Sequence, residues 1–191
     1  MRRELLGVTD AFAELEIPRR PWVEPNLITS RFRERATAAH PDKGGSSDRL
    51  ARLNQARQIL ASPGHRLRHL ALVSFPDHQP RKAFAPDWAL FESVGHLCQR
   101  VREWSTRRSA ATSALEKAVV LTSAIPLRQK AMEALEIIRR AEEKIDSDIR
   151  QLDVRWPDVS ADEILELADA WTFLERSGAS LRDAAAILNG A

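Results

Sequence analysis

The sequence predicts an all-α protein. Apolar residues recur at three- and four-residue spacings through most of the chain, and no stretch alternates apolar and polar residues as a half-buried strand would. Proline or serine stands at the start of several periodic segments, where a helix accepts proline in its first turn and needs a serine oxygen as a cap.

The elements follow in order. Asp10 to Leu15 is a short apolar-periodic piece that ends before Pro18, and the chain then turns through Pro18 to Pro21. Pro25 opens a helix running to about Ala39, with Ile28, Phe32, Ala36 and Ala39 on one face. Pro41 stops it, because the residue before a proline is pushed out of the helical region. Lys43 to Ser47 is a polar loop, and Ser46 or Ser47 caps a third helix with Leu50, Leu53, Ala56 and Leu60 inward. Pro63-Gly64 breaks that helix, and a fourth segment runs from His65 to Val73. Phe75 to Pro86 contains three prolines and few apolar residues, so it reads as a linker.

The second half is helical throughout. Asp87 to Arg108 carries Leu90, Phe91, Val94, Leu97, Val101 and Trp104 on one broad stripe. Ser109 to Ser123 continues as helix until Pro126, which is expected to break or kink it. Leu127 to Val154 turns Leu135, Ile138, Ala141, Ile145, Ile149 and Leu152 inward, and Trp156-Pro157 ends it. Ser160 to Glu163 is a capping box before Ile164, Leu165 and Leu167. An interruption is expected at Gly178, before Leu181 to Leu188. The resulting division is an N-terminal domain over 1–75, a linker over 76–86 and a C-terminal helical bundle over 87–191.

Composition narrows the classes of function. No apolar run approaches the ~20 residues of a membrane span, and Arg2-Arg3 precede no long apolar stretch, so no signal peptide is expected. The single cysteine, Cys98, excludes an intramolecular disulfide and a four-thiolate metal site, and fits a reducing cytoplasm. Residues 1–85 carry 15 Lys and Arg against 9 Asp and Glu, whereas residues 86–191 carry 14 against 18. The basic first half suits nucleic acid or an acidic partner. The acidic second half argues against nucleic acid wrapping the whole molecule.

His40-Pro41-Asp42-Lys43 lies between two helices that can pack antiparallel, and that context separates it from a chance tripeptide. Residues 9–72 resemble a J-domain, the module of the DnaJ superfamily. The likeness rests on Phe12, Arg31-Phe32-Arg33, the His-Pro-Asp tripeptide, and Leu50, Leu53, Asn54, Ala56 and Leu60. It implies a co-chaperone that stimulates ATP hydrolysis by a DnaK-type chaperone. It assigns the contact to His40, Pro41, Asp42 and Lys43 with the basic side chains Arg31, Arg33 and Arg35. The arginines suit electrostatic steering toward an acidic partner. Arg35 stands where the family usually has an inward leucine, and Ala39 replaces a common tyrosine.

A narrower signature follows. Asn54-Gln55-Ala56, Gln58, Leu60, Pro63, Arg66 and Leu70 resemble the same helix junction in the HscB family of iron–sulfur cluster assembly co-chaperones. That family joins a J-domain through a short linker to a helical bundle. The likeness implies that the bundle binds a client, an iron–sulfur scaffold protein, through Leu90, Phe91, Val94 and Phe173. Gly95 and Arg102 stand where the family carries acids. The competing assignment for the apolar residues is ordinary bundle core.

Other constellations carry less. His65 and His69 are spaced as two imidazoles on one helix face, but no third ligand is near in sequence, and a surface coincidence is the expectation. No nucleophile elbow, HExxH or glycine-rich phosphate loop occurs, so no enzyme activity, cofactor or metal is expected. Trp88, Trp104, Trp156 and Trp171 fall in the acidic half and are expected in the core. The alternative function is a J-like binding module whose basic surface serves nucleic acid or a different, non-iron–sulfur client.

Overall fold

The computed structural model describes residues 9–39, 46–79, 85 and 87–190. Among these residues all regular structure is helical: α1 (Ala11–Glu14), α2 (Pro25–Ala38), α3 (Ser47–Ala61), α4 (Pro63–Ser74), α5 (Trp88–Ala110), α6 (Ala114–Val154) and α7 (Ala161–Asn189). None is long and apolar enough to cross a membrane.

The chain forms two compact units. One draws on Met1–Ala83 and Ser147–Asp169, the other on Phe84–Asp146 and Ala170–Ala191. In the first, α3 packs against α1, α2 and α4. Leu53, Ala56 and Leu60 of α3 are buried, as are Phe12, Leu15, Ile28, Ala39, Leu67 and Leu70. The inward face expected of α3 is thus borne out, with Leu50 at its half-buried edge. Ser46 caps α3 by accepting from the Arg49 N–H at 3.2 Å. Pro63 occupies the first turn of α4, so the proline that ends one helix starts the next.

The end of α6 and the start of α7 belong to this first unit. Arg20 donates to Asp153 at 2.7 Å and 3.1 Å, and the Trp22 N–H reaches the same carboxylate at 3.3 Å. The Arg150 guanidinium lies 4.3 Å from the Trp22 ring centroid, a cation–π contact. Trp156 meets Phe75 edge-on at 6.5 Å.

The second unit has its own core of Val94, Leu97, Val101 and Trp104 from α5, Ala124, Leu127, Ala131 and Ile138 from α6, and Leu174, Leu181, Ala184 and Leu188 from α7. The buried Trp104 donates Nε1–H to the Val120 carbonyl at 2.8 Å, which satisfies its polar atom.

Three expectations are corrected here. α5 ends at Ala110, and Ser113 and Glu116 form a capping box that starts α6 at Ala114. The helix break therefore falls twelve residues or more before Pro126, and α6 runs helical through that proline. Proline within a helix costs about 3 kcal/mol, and burial of Ala124, Leu127 and Ala131 on both sides offsets it. α7 likewise continues through Gly178. A Cβ there would sit 3.2 Å from the flexible Arg182 guanidinium of the same helix and 3.5 Å from Ile138 Cγ2 of α6, an ordinary contact.

Candidate functional site

His40, Pro41, Asp42 and Lys43 lie outside the described residues. What the structure describes is the pair of helices on either side of them in sequence. α2 begins at Pro25 and ends with Ala39 as its cap, fully buried; α3 starts at Ser47. The two pack together, and Arg57 of α3 sits 4.5 Å from the Phe32 ring centroid of α2.

The three arginines of α2 differ in environment. Arg33 is exposed. Arg31 pairs with Glu34 one turn on, at 3.2 Å, a solvent-exposed contact of small energetic weight. Arg35 is drawn inward, with its side chain only 21% exposed, and its guanidinium pairs with Glu16. Its Nε is buried with no hydrogen-bond partner among the described residues.

Glu16 arrives there through the way α1 ends. The Ile17 N–H bonds to the Phe12 carbonyl at 2.9 Å and the Glu16 N–H to the Ala13 carbonyl at 3.2 Å, the two bonds of a Schellman cap. The cap requires the left-handed region at Glu16, whose φ is 52°.

The α3–α4 junction is held from within. Arg66 is buried and donates to the Leu60 carbonyl at 2.8 Å and the Pro21 carbonyl at 3.2 Å, fastening the end of α3 to the Pro18–Pro21 turn. His69 is a core residue, which corrects the expectation of a helix-surface histidine. Its Nε2 accepts the Ala11 N–H at 2.9 Å, and its ring stacks on Phe12 at 5.9 Å. Burial pushes its pKa below the ordinary value, against the opposing pull of Asp10. Burial would by itself raise Asp10, but Arg19 and the Phe12 and Ala13 N–H groups outweigh it and hold the carboxyl below its usual range. No three His, Cys, Asp or Glu side chains among the described residues are grouped to hold a metal ion.

In the second unit, the apolar residues singled out on α5 and α7 divide. Val94 is buried in the core. Leu90 and Phe173 are partly buried against that core. Phe91 is 54% exposed, and its ring lies 6.5 Å from Phe173. Trp88 is 66% exposed and packs edge-on against Phe91 at 5.9 Å. Trp88 was expected in the core. It starts α5 well ahead of Val94, the first buried position of the stripe, and nothing in the periodicity of the sequence marks that end as outward. Trp104 is core, while Trp156 and Trp171 are half-buried. Three aromatic rings therefore run in contact from Trp88 through Phe91 to Phe173, the first two largely exposed. Gly95, with nothing within 4 Å of where a Cβ would stand, and Arg102 extend the same side of α5.

Helix order and the two interleaved units define an all-α fold with a small helical N-terminal assembly and a longer helical C-terminal part. Chaperone HscB from Vibrio cholerae shares that fold, with a TM-score of 0.50 over 92% of this chain and 96% of that one, at 15% sequence identity. The chain has an HscB-like all-α fold. No protein-family model matches the sequence, and no curated protein does.

Proposed function

We propose that the chain is a J-domain co-chaperone that stimulates ATP hydrolysis by a DnaK-type chaperone and delivers a client to it, an iron–sulfur cluster scaffold protein. The observation that carries this reading is the HscB-like fold over nearly the whole chain, together with a His-Pro-Asp tripeptide in the segment between α2 and α3. In this reading His40, Pro41, Asp42 and Lys43 engage the ATPase, and Arg31 and Arg33 on the α2 surface steer the encounter. Arg35, committed to Glu16, contributes by fixing α2 against the end of α1. The domain over 1–75 carries the chaperone contact, the linker over 76–86 follows, and residues 87–191 carry the client surface. There Phe91 and Phe173, joined by Trp88, make the contact; Leu90 and Val94 support it from below.

The test is Asp42→Asn. It removes the charge without changing the size of the side chain, so stimulation of the chaperone ATPase should be abolished while the helical circular-dichroism signal is unchanged. Near-wild-type stimulation would overturn the assignment, and nucleic-acid binding by the same protein would then favour the basic-surface alternative.

A further inference from the structure

The first unit contains a cavity of about 480 Å³ that none of the surfaces above uses. Its apolar wall comes from Ile59 of α3, Ala71 and Leu72 of α4, Phe75 and Pro76 beyond it, and Leu165 of α7. Its polar groups are Arg68, His65, His69 and His78. No carboxylate lines it among the described residues. The size is within the roughly 300–1,000 Å³ of small-molecule sites, and an apolar wall with a few convergent polar groups is the usual make-up of such sites.

We propose that this cavity binds a small amphiphilic carboxylate, with the acyl or aryl body against Leu72, Phe75 and Leu165 and the anionic head toward the Arg68 and histidine side. Five features carry the proposal. The lining supplies one permanent cation and three imidazoles, and the carboxylates that meet them, Asp169 at Arg68, Asp162 at His78 and Asp10 at His69, stand outside the wall. Arg68 has its side chain about half exposed, and it pairs with Asp169 from outside the wall, leaving further guanidinium N–H donors for a ligand. His69 is fixed in one tautomer: its Nε2 accepts the Ala11 N–H, so the ring proton resides on Nδ1 of a residue in the cavity wall. His78 is oriented by Asp162 at 2.8 Å and belongs to the same wall. Leu72, 41% exposed, leaves an apolar side of the cavity open to solvent.

The experiment titrates the full chain with decanoate and, separately, with decyltrimethylammonium below their micellar concentrations, followed by calorimetry and by amide and imidazole NMR shifts. Decanoate should bind saturably with one-to-one stoichiometry and shift His65 and His69. The cation of equal chain length should bind at least about tenfold more weakly, because it meets Arg68. Leu72→Trp fills the cavity from its exposed side, and His65→Glu places a carboxylate in the wall at an exposed position. Each should lower decanoate affinity at least about tenfold, with an unchanged melting temperature showing that the fold is intact. Equal affinity for anion and cation, unsaturable uptake, no binding of decanoate, or indifference to both substitutions would each overturn the proposal. Chaperone stimulation, measured alongside, bears on the Asp42 reading and not on this one.

Discussion

Glu16 occupies the left-handed region at the end of α1 and presents its carboxylate to Arg35 of α2, whose buried Nε has no partner of its own among the described residues. A non-glycine residue in that region is disfavoured by roughly 1–2 kcal/mol, so the backbone is strained where it supplies the ion pair. Glu16→Ala, which keeps the strain and loses the pair, should destabilise by up to about 1 kcal/mol, because the Glu16 carboxylate is mostly exposed. Glu16→Gly should lose less, since it releases the strain. Combining Glu16→Gly with Arg35→Leu should give a protein at least as stable as the wild type, because a poorly satisfied inward ion pair is replaced by apolar packing. Urea denaturation orders the three variants, and a double variant less stable than Glu16→Ala would refute the account.

The exposed aromatic patch gives a different pattern. Phe91→Ala should change stability by no more than about 0.5 kcal/mol, as expected of a surface side chain, and, if the patch is the proposed client surface, weaken client binding. Val94→Ala, three residues on and buried, should cost about 2 kcal/mol. Thermal melts read the first quantity and calorimetric titration with the scaffold protein the second. Equal destabilisation by both would place Phe91 in the core.

Salt separates steering from docking. If Arg31 and Arg33 steer the chaperone encounter, its affinity should fall as the Debye length shrinks to ~8 Å at physiological ionic strength. Arg33→Glu should lower the association rate more than it raises the dissociation rate. Stopped-flow association at several salt concentrations checks this. A salt-independent rate would point to an apolar contact.

Acid should act through His69 first. Its folded pKa lies below its ordinary value of 6.5 because of burial, so below about that pH the unfolded chain takes up a proton that the folded chain refuses. Stability should therefore decline as pH falls through 6.5. Asp10, lowered from 3.8, keeps its contribution until the pH drops below that value. His69→Gln preserves an acceptor for the Ala11 N–H without the titration, and should flatten the stability profile between pH 7 and 5. An unchanged slope in that variant would show that another group titrates there.

Helix positions in the N-terminal half were legible because local signals agree: Pro25 and Pro63 at first turns, Ser46 as a cap, and apolar faces at helical spacing that bury as expected. The breaks expected at Pro126 and Gly178 do not occur, for a common reason. Both are costly in an isolated helix, and at both positions packing in the second unit outweighs the local preference. His69 gave no sequence signal of burial, because its partner, the Ala11 N–H, lies 58 residues away. Within the apolar stripe of α5, periodicity located the face but not its edge. Phe91 and Val94 differ by less than a turn, and only the position of α7 decides which is covered.

The polypeptide visits its first compact unit twice, early and then again between Ser147 and Asp169. Severing the chain near residue 80 therefore removes the acids that receive Arg20, Arg68 and His78, and the arginine that covers Trp22. An excised 1–75 piece would be a torso without its return strap, and its stability would understate that of the intact molecule. Adding a separate 147–169 peptide should restore part of the difference, which makes complementation, rather than truncation, the way to apportion function along this sequence.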